Sequence, residues 1–427
     1  MMRSRGLFFL AFFALLALAM AGIADQPAAE APAGFDTPTL GQNPGSQSTS
    51  NGIPEPSGDT FALDQQHFEK RNGVDDGLGP VFNATACTDC HQNPVTGGPS
   101  QITEIRAGHL DASGTFVNPT IFINDGANTI SGRSIVDDRA ICPEAHEQVP
   151  AAENIHALRA VLNTLGDGFV EAIDDSTLLN ISANQTQQTR GQIHGETVHV
   201  PIFEAPGKTR IGRFGWKDQH GSLLSFASDA YLNEMGITSR LRPKDATTVC
   251  KTTTDPEDQP DQFGLADIDH FAQFMRGTKT PPRDLALAAT ADAQAGQLLF
   301  TTVGCATCHV SSMVTAPAGA ALNGGTFVVP DALGNKLIHP YCDFLLHDIG
   351  TGDGIVQGGP PDTINKLRTT PLWGLRTKTR FMHDLKSLSL ADAINRHRGE
   401  AREVVDRFHE DLSPAQQQQL LTFLNSL

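Results

Sequence analysis

Cys87, Cys90 and His91 stand in the pattern C-x-x-C-H, and so do Cys305, Cys308 and His309. Two thiols at this spacing reach the two vinyl groups of one haem, and the histidine that follows is held under the iron as an axial ligand. With seven cysteines and fifteen histidines in 427 residues, about 0.004 such patterns are expected from composition, so coincidence does not account for two. Zinc would need both cysteine pairs in one tetrahedral site and would leave His91 and His309 surplus. A thiol redox pair has no need of histidine at the next position in both copies. The spacing predicts two covalently bound haem c groups, with His91 and His309 as iron ligands.

The second axial position decides between electron transfer and catalysis. Past the first residues the methionines are Met235, Met275, Met313 and Met382. Met382 follows the second motif and precedes the last helical segment, where small c-type cytochromes carry a Met ligand. His347 and His383 are its rivals, and Met382 as core filler is the competing reading. Of the two tryptophans, Trp216 lies between the haem segments and is the candidate electron relay; packing is the alternative role for a buried indole. Cys142, Cys250 and Cys342 remain, enough for one disulfide and one thiol, with the pairing open.

The elements that must position these groups show a repeat. Phe82 and Phe300 each stand five residues before the first cysteine of a motif, giving F-x4-C-x2-C-H twice, which suggests a helix leading into each attachment turn. Thr290 is a plausible cap for a helix reaching Phe300. Ser389 with Asp392 starts another helix, and Ser413-Pro414-Ala415-Gln416 is a capping box before an apolar stripe from Leu420 to Leu427. Between residues 100 and 260, runs such as Thr115 to Asn124 and Thr197 to Phe203 alternate like strands, but loops should dominate. Asp261 to Arg276 reads as an amphipathic helix closed by Pro281-Pro282. The expected fold is mainly α with long loops and a few short strands. Residues 61–285 would form an N-terminal haem domain with insertions, and 286–427 a C-terminal cytochrome c-like one.

Residues 1–21, with Arg3 and Arg5 before an apolar run ending at Ala19-Met20-Ala21, read as an export signal. Residues 22–60 read as a flexible linker. The oxidising periplasm is the expected location, with no membrane span after cleavage. A formal net charge of -17 disfavours nucleic acid as a partner and suits solubility or docking of a basic electron carrier.

Further segments carry a resemblance: Gly77-Leu78-Gly79-Pro80 with Phe82-Asn83-Ala84 and CTDCH, GRFGWK from Gly212, EMGIT from Glu234, LLHD from Leu345, and TPLWGLR from Thr370. In combination they resemble the di-haem oxidoreductases, relatives of the bacterial di-haem cytochrome c peroxidases, from about Phe61 to Leu427. The resemblance implies two cytochrome c-like domains. Hydrogen peroxide would meet the His91 haem, and electrons would enter at the His309 haem from a small cytochrome c or cupredoxin. It also implies a distal carboxylate, for which Glu171 in GDGFVEAID is the candidate. Two departures stand out: Leu367 lies where the relatives place a Met ligand, and Leu385 replaces the glycine of their His-Asp-Gly, so that turn should differ. A non-catalytic electron-transfer protein and an oxygen-using oxygenase or oxidase are the alternative readings.

Overall fold

The computed structural model describes residues 28–35, 52–54 and 59–427; the export-signal reading of residues 1–21 lies outside them. Helices α1 (Phe61–Glu69), α2 (Asp167–Glu171), α3 (Asp175–Gln188), α4 (Leu223–Met235), α5 (Asp267–Gly277), α6 (Ala291–Val303), α7 (Leu390–Arg396), α8 (Arg402–Glu410) and α9 (Pro414–Leu424) carry the haem segments and their walls. Their starts follow the capping residues. The Thr290 hydroxyl accepts from the Ala293 N–H, Ser389 from Asp392, and Ser413 from Gln416, whose side chain answers at the Ser413 N–H.

Helix α5 starts six residues later than its pattern suggests. Asp261 Oδ1 accepts from the Phe263 and Leu265 N–H groups at 2.8 and 3.2 Å, and this local turn outcompetes the helix. Helix α4 ends at Gly236 (φ 69°), where a Cβ would come within 2.6 Å of the Val81 carbonyl oxygen.

Strand content exceeds the expected few short strands: the chain is about 32% helix and 16% strand, so the fold is mixed rather than mainly α. The principal strands are β1 (Ala29–Glu30), β2 (Val81–Phe82), β3 (Thr103–Leu110), β4 (Ile155–Ala160), β5 (Thr209–Ile211) and β6 (Lys336–Ile338). Strands β3 and β4 pair antiparallel from Thr103 opposite Ala160 to Gly108 opposite Ile155. Alternating apolar positions within loop-rich sequence escape notice because each strand needs a distant partner to become regular. Strand β1, inside the stretch read as linker, pairs in parallel with β6, Ala29 opposite Lys336.

The largest core gathers Phe61, Phe68, Phe169, Phe214, Phe271 and Phe274 with Phe327, Phe344 and Leu345 from the C-terminal part of the chain. A second core lies between α6, α8 and α9, around Phe300, Phe408, Leu420 and Phe423. Among the described residues no helix is long and apolar enough to cross a membrane. Cys142 and Cys250 form a disulfide with Cα atoms 6.5 Å apart. Cys342 is the buried thiol left over and donates to the Thr369 carbonyl at 2.9 Å.

Candidate haem sites and the wall between them

Both C-x-x-C-H segments fold into the same single turn. The His91 N–H donates to the Cys87 carbonyl at 2.9 Å and the His309 N–H to the Cys305 carbonyl at 3.0 Å. What precedes the turns differs. Phe300 lies on α6 and meets the His309 ring at 6.1 Å. Phe82, its counterpart by spacing, lies instead on β2, and Phe68 of α1 meets His91, at 6.2 Å. Gly77 and Gly79, with φ of 97° and 90°, followed by Pro80, end any helix before the first turn, so the aromatic neighbour comes from farther back.

Each turn opens on a cavity. One, of about 300 Å³, is lined by Cys87, Cys90, His91, Phe68, Glu104 and Glu234 among others. The other, of about 560 Å³, is lined by Cys305, Cys308, His309, Phe300, Met382 and His397 among others. Ala160, Val161, Leu162, Trp216 and Arg368 line both, so the cavities share a wall. Burial lowers the pKa of His91 and of His309 to about 4, which keeps both imidazoles neutral and able to bind iron. The Tyr341 carbonyl accepts from His309 Nδ1 at 3.0 Å, leaving Nε2 as its free nitrogen. Burial pushes the Cys90 and Cys305 thiols up to about 12, the reverse of what a zinc thiolate site requires.

The walls also carry cations suited to an anionic ligand. Arg159, 1% exposed, gives Nε to Asp353 at 2.7 Å and Nη1 to Gln357 at 2.6 Å, while Nη2 is buried without a partner beside the His91 cavity. Lys378 lines the His309 cavity, where burial and then Arg368 lower its pKa to about 8. Neutral imidazoles, protonated thiols in pairs, and under-satisfied cations in the walls fit a porphyrin with its two propionates.

The GRFGWK segment explains how Trp216 reaches the shared wall. It leaves β5 as a tight loop in which Arg213 and Phe214 donate to the His220 carbonyl at 2.9 and 3.1 Å. Gly215 takes a φ of 80°. Arg213, fully buried, bonds the Ile173 and Ile211 carbonyls and Asp175. The Lys217 ammonium lies between Asp353 at 3.0 Å and the carbonyls of Thr363, Ile364 and Lys366. Between these two anchored cations, Trp216 donates its indole N–H to the Ala160 carbonyl at 2.8 Å and stands 6.1 Å from the His383 ring.

Glu171 lies elsewhere. It is fully buried and lines neither cavity: Arg276 donates to it at 2.6 and 3.1 Å, Asn323 at 2.9 Å and the Leu223 N–H at 2.9 Å. Burial alone would raise its pKa, but Arg276 and these donors outweigh it and leave the pKa lowered. It is a structural anchor joining α2, α4 and α5. The acids that do line the His91 cavity are Glu104, Asp138, Asp167, Asp229 and Glu234, none of them given a chemical role by sequence. Glu104 and Glu234 are hydrogen-bonded to each other. Arg106 binds Glu104 at 2.7 Å. Against burial it keeps the Glu104 pKa low, while burial and the Glu104 charge raise that of Glu234 well above the ordinary range.

The rivals for the second axial position of the other haem also separate. His347 is committed at both nitrogens, to Asp343 and to Glu400, each at 2.8 Å. His347, Met382 and His383 all line the cavity, and His383 Nδ1 is buried without a partner. His397, not singled out by sequence, also lines it; Nδ1 donates to the Ala393 carbonyl at 2.8 Å and Nε2 is left free. Leu385, in the glycine position of the expected turn, adopts φ 54°, the left-handed conformation a glycine would take freely. The turn keeps that hand, with Arg396 bonding Asp384 at 2.7 and 3.0 Å.

No curated protein matches the sequence. Several solved structures are similar at low identity, two of them as follows. Hydrazine synthase of Kuenenia stuttgartiensis is 13% identical with a TM-score of 0.38, over 88% of this chain and 90% of that one. A MauG-like protein associated with microbial copper homeostasis is 14% identical with a TM-score of 0.40, over 88% and 93%. The sequence profile of the family described as "di-haem oxidoreductase, putative peroxidase" matches residues 153–427. The chain belongs to this di-haem oxidoreductase family, a family of redox enzymes, and two haems are its cofactors.

Proposed function

We propose that the protein is a periplasmic enzyme with two thioether-linked haems. It reduces hydrogen peroxide at the His91 haem, with electrons passed from a small cytochrome c or cupredoxin through the His309 haem. The single observation that supports this most is the wall at Ala160–Leu162 and Trp216, common to two cavities that each begin at a C-x-x-C-H turn. Bound there, haem supplies one-electron redox chemistry and, where an axial position is open, a place for a small oxidant.

The chain's own residues supply the rest. Converting one peroxide to two waters consumes two electrons and two protons. Trp216, tied to Ala160 and edge-on to His383, bridges the cavities as an aromatic relay. Glu234 holds a proton and Glu104, kept ionised by Arg106, can take one, so the pair can move protons at the His91 cavity. This role passes from Glu171, whose oxygens are bound by Arg276, Asn323 and Leu223. Arg159 and Lys378, in the cavity walls, would hold propionates. Met382, His383 or His397 would be the further iron ligand at the His309 haem.

The test is a redox titration of the holoprotein with optical and spin-state readout, with and without hydrogen peroxide, after the denatured mass has been shown to include two haems. The expected result is one haem that is high-spin or opens on reduction and whose spectrum changes with peroxide. Two low-spin haems, indifferent to peroxide in every redox state, would instead identify an electron-transfer module.

A further inference from the structure

Between α1 and α5, among residues that do not line the His91 cavity, two histidines stack face to face. The rings of His67 and His270 are 3.9 Å apart at 9°. Each gives Nδ1 to a carboxylate: His67 to Asp267 at 2.6 Å and His270 to Asp64 at 2.8 Å. Nε2 is therefore the remaining donor atom on each ring. His270 is fully buried, and its Nε2 has no hydrogen-bond partner. The Asp261 carboxylate stands 3.4 Å from that nitrogen. Asp261 spends Oδ1 on the Phe263 and Leu265 N–H groups, and it is Oδ2 that faces His270. One ligand atom from each of His67, His270 and Asp261 can be chosen so that all lie within 4.8 Å of one another.

A buried imidazole nitrogen without a hydrogen bond is unfavourable, and charging both stacked rings would set like charges face to face. Asp59, with a carboxylate oxygen 3.8 Å from His270 Nδ1, adds a further negative group. Four aspartates thus surround two imidazoles, a balance that a divalent cation corrects. Histidines whose Nδ1–H is fixed by a carboxylate while Nε2 is free have the outer-shell arrangement of metal ligands. Two imidazoles and one carboxylate suit a borderline ion better than calcium or magnesium, which prefer all-oxygen shells. His67 and Asp261 have side chains 22% and 24% exposed, so an ion and its remaining water ligands have access from solvent.

We propose that His67, His270 and Asp261 form a binding site for one divalent zinc- or copper-class ion, separate from both haems. Bound there, the ion joins α1, α5 and the turn before α5. The next residues on those helices, Phe68 and Phe271, line the His91 cavity, so the site braces two elements of that cavity's wall.

The experiment uses holoprotein stripped with a chelator and titrated with Zn²⁺ by calorimetry, with haem iron counted separately. The expected result is one tight Zn²⁺ per chain, unaffected by excess Ca²⁺, and a Cu²⁺ form whose electron paramagnetic resonance shows two nitrogen ligands. His67→Gln and Asp261→Asn should each weaken Zn²⁺ by at least about tenfold while the haem spectra stay unchanged. Absence of a tight site in the stripped parent protein, equal competition by Ca²⁺, or parental affinity in both variants would overturn the proposal. The copper spectrum of the unmutated chain decides the matter even if a variant fails to fold.

Discussion

The Trp216 side chain donates its indole N–H to the Ala160 carbonyl and lines both cavities. Trp216→Phe keeps an aromatic body and removes that bond, so turnover with donor and peroxide should fall by about tenfold with the peroxide KM unchanged. Stopped-flow reduction of each haem would locate the loss between them. Asp167 gives a pH signature. Burial lifts its pKa to about 7, opposed by Arg368, so the folded state holds this proton more tightly than the unfolded chain. Its contribution to stability is therefore largest at low pH and is lost as pH rises through that value. Asp167→Asn should raise the unfolding midpoint at about pH 8 and give no such gain at about pH 4, as thermal melts at the two values would show. The two C-x-x-C-H motifs were legible because each is local, five positions in a row. Glu104 and Glu234 were not, because their pairing exists only once β3 and α4 meet. Glu171 was misassigned because an acid in a helix looks the same in sequence whether it faces a cavity or an arginine.

At the scale of elements, the capping residues were sufficient to place α6, α7 and α9, since each cap acts within four residues. The helix before the first haem turn was not, because the repeat in spacing conceals a change of element: Phe68, not Phe82, takes the part that Phe300 plays. Where α6 crosses α9, Gly296 has no room for a side chain, a Cβ falling on the Gln419 carbonyl and against Phe423. Gly296→Ala should force the helices apart and cost about 1–3 kcal/mol, measured by denaturant unfolding, with the His309 haem disturbed before the His91 haem. The disulfide joins Cys142 to Cys250 across 108 residues. Replacing both by serine should cost about 2–5 kcal/mol, and reducing the parent protein should reproduce the loss.

Over the whole molecule, one buried ionic group ties distant parts of the chain. Asp353 accepts from Arg159 at the end of β4 and from Lys217 beside Trp216. Asp353→Asn would leave two buried cations short of a counter-charge and should cost about 3–5 kcal/mol, seen as a lower midpoint in urea. Composition could not reveal this, since the three residues read as ordinary surface charges until the fold brings them together. Strand β1 has a consequence of another kind. Its partner β6 is made roughly 300 residues later, and so large a loop closes slowly. A chain emerging from its amino end has exposed both pairs of thiols before that clasp can shut. Cofactor insertion can thus precede that pairing, and the early segment is fastened to β6 only afterwards.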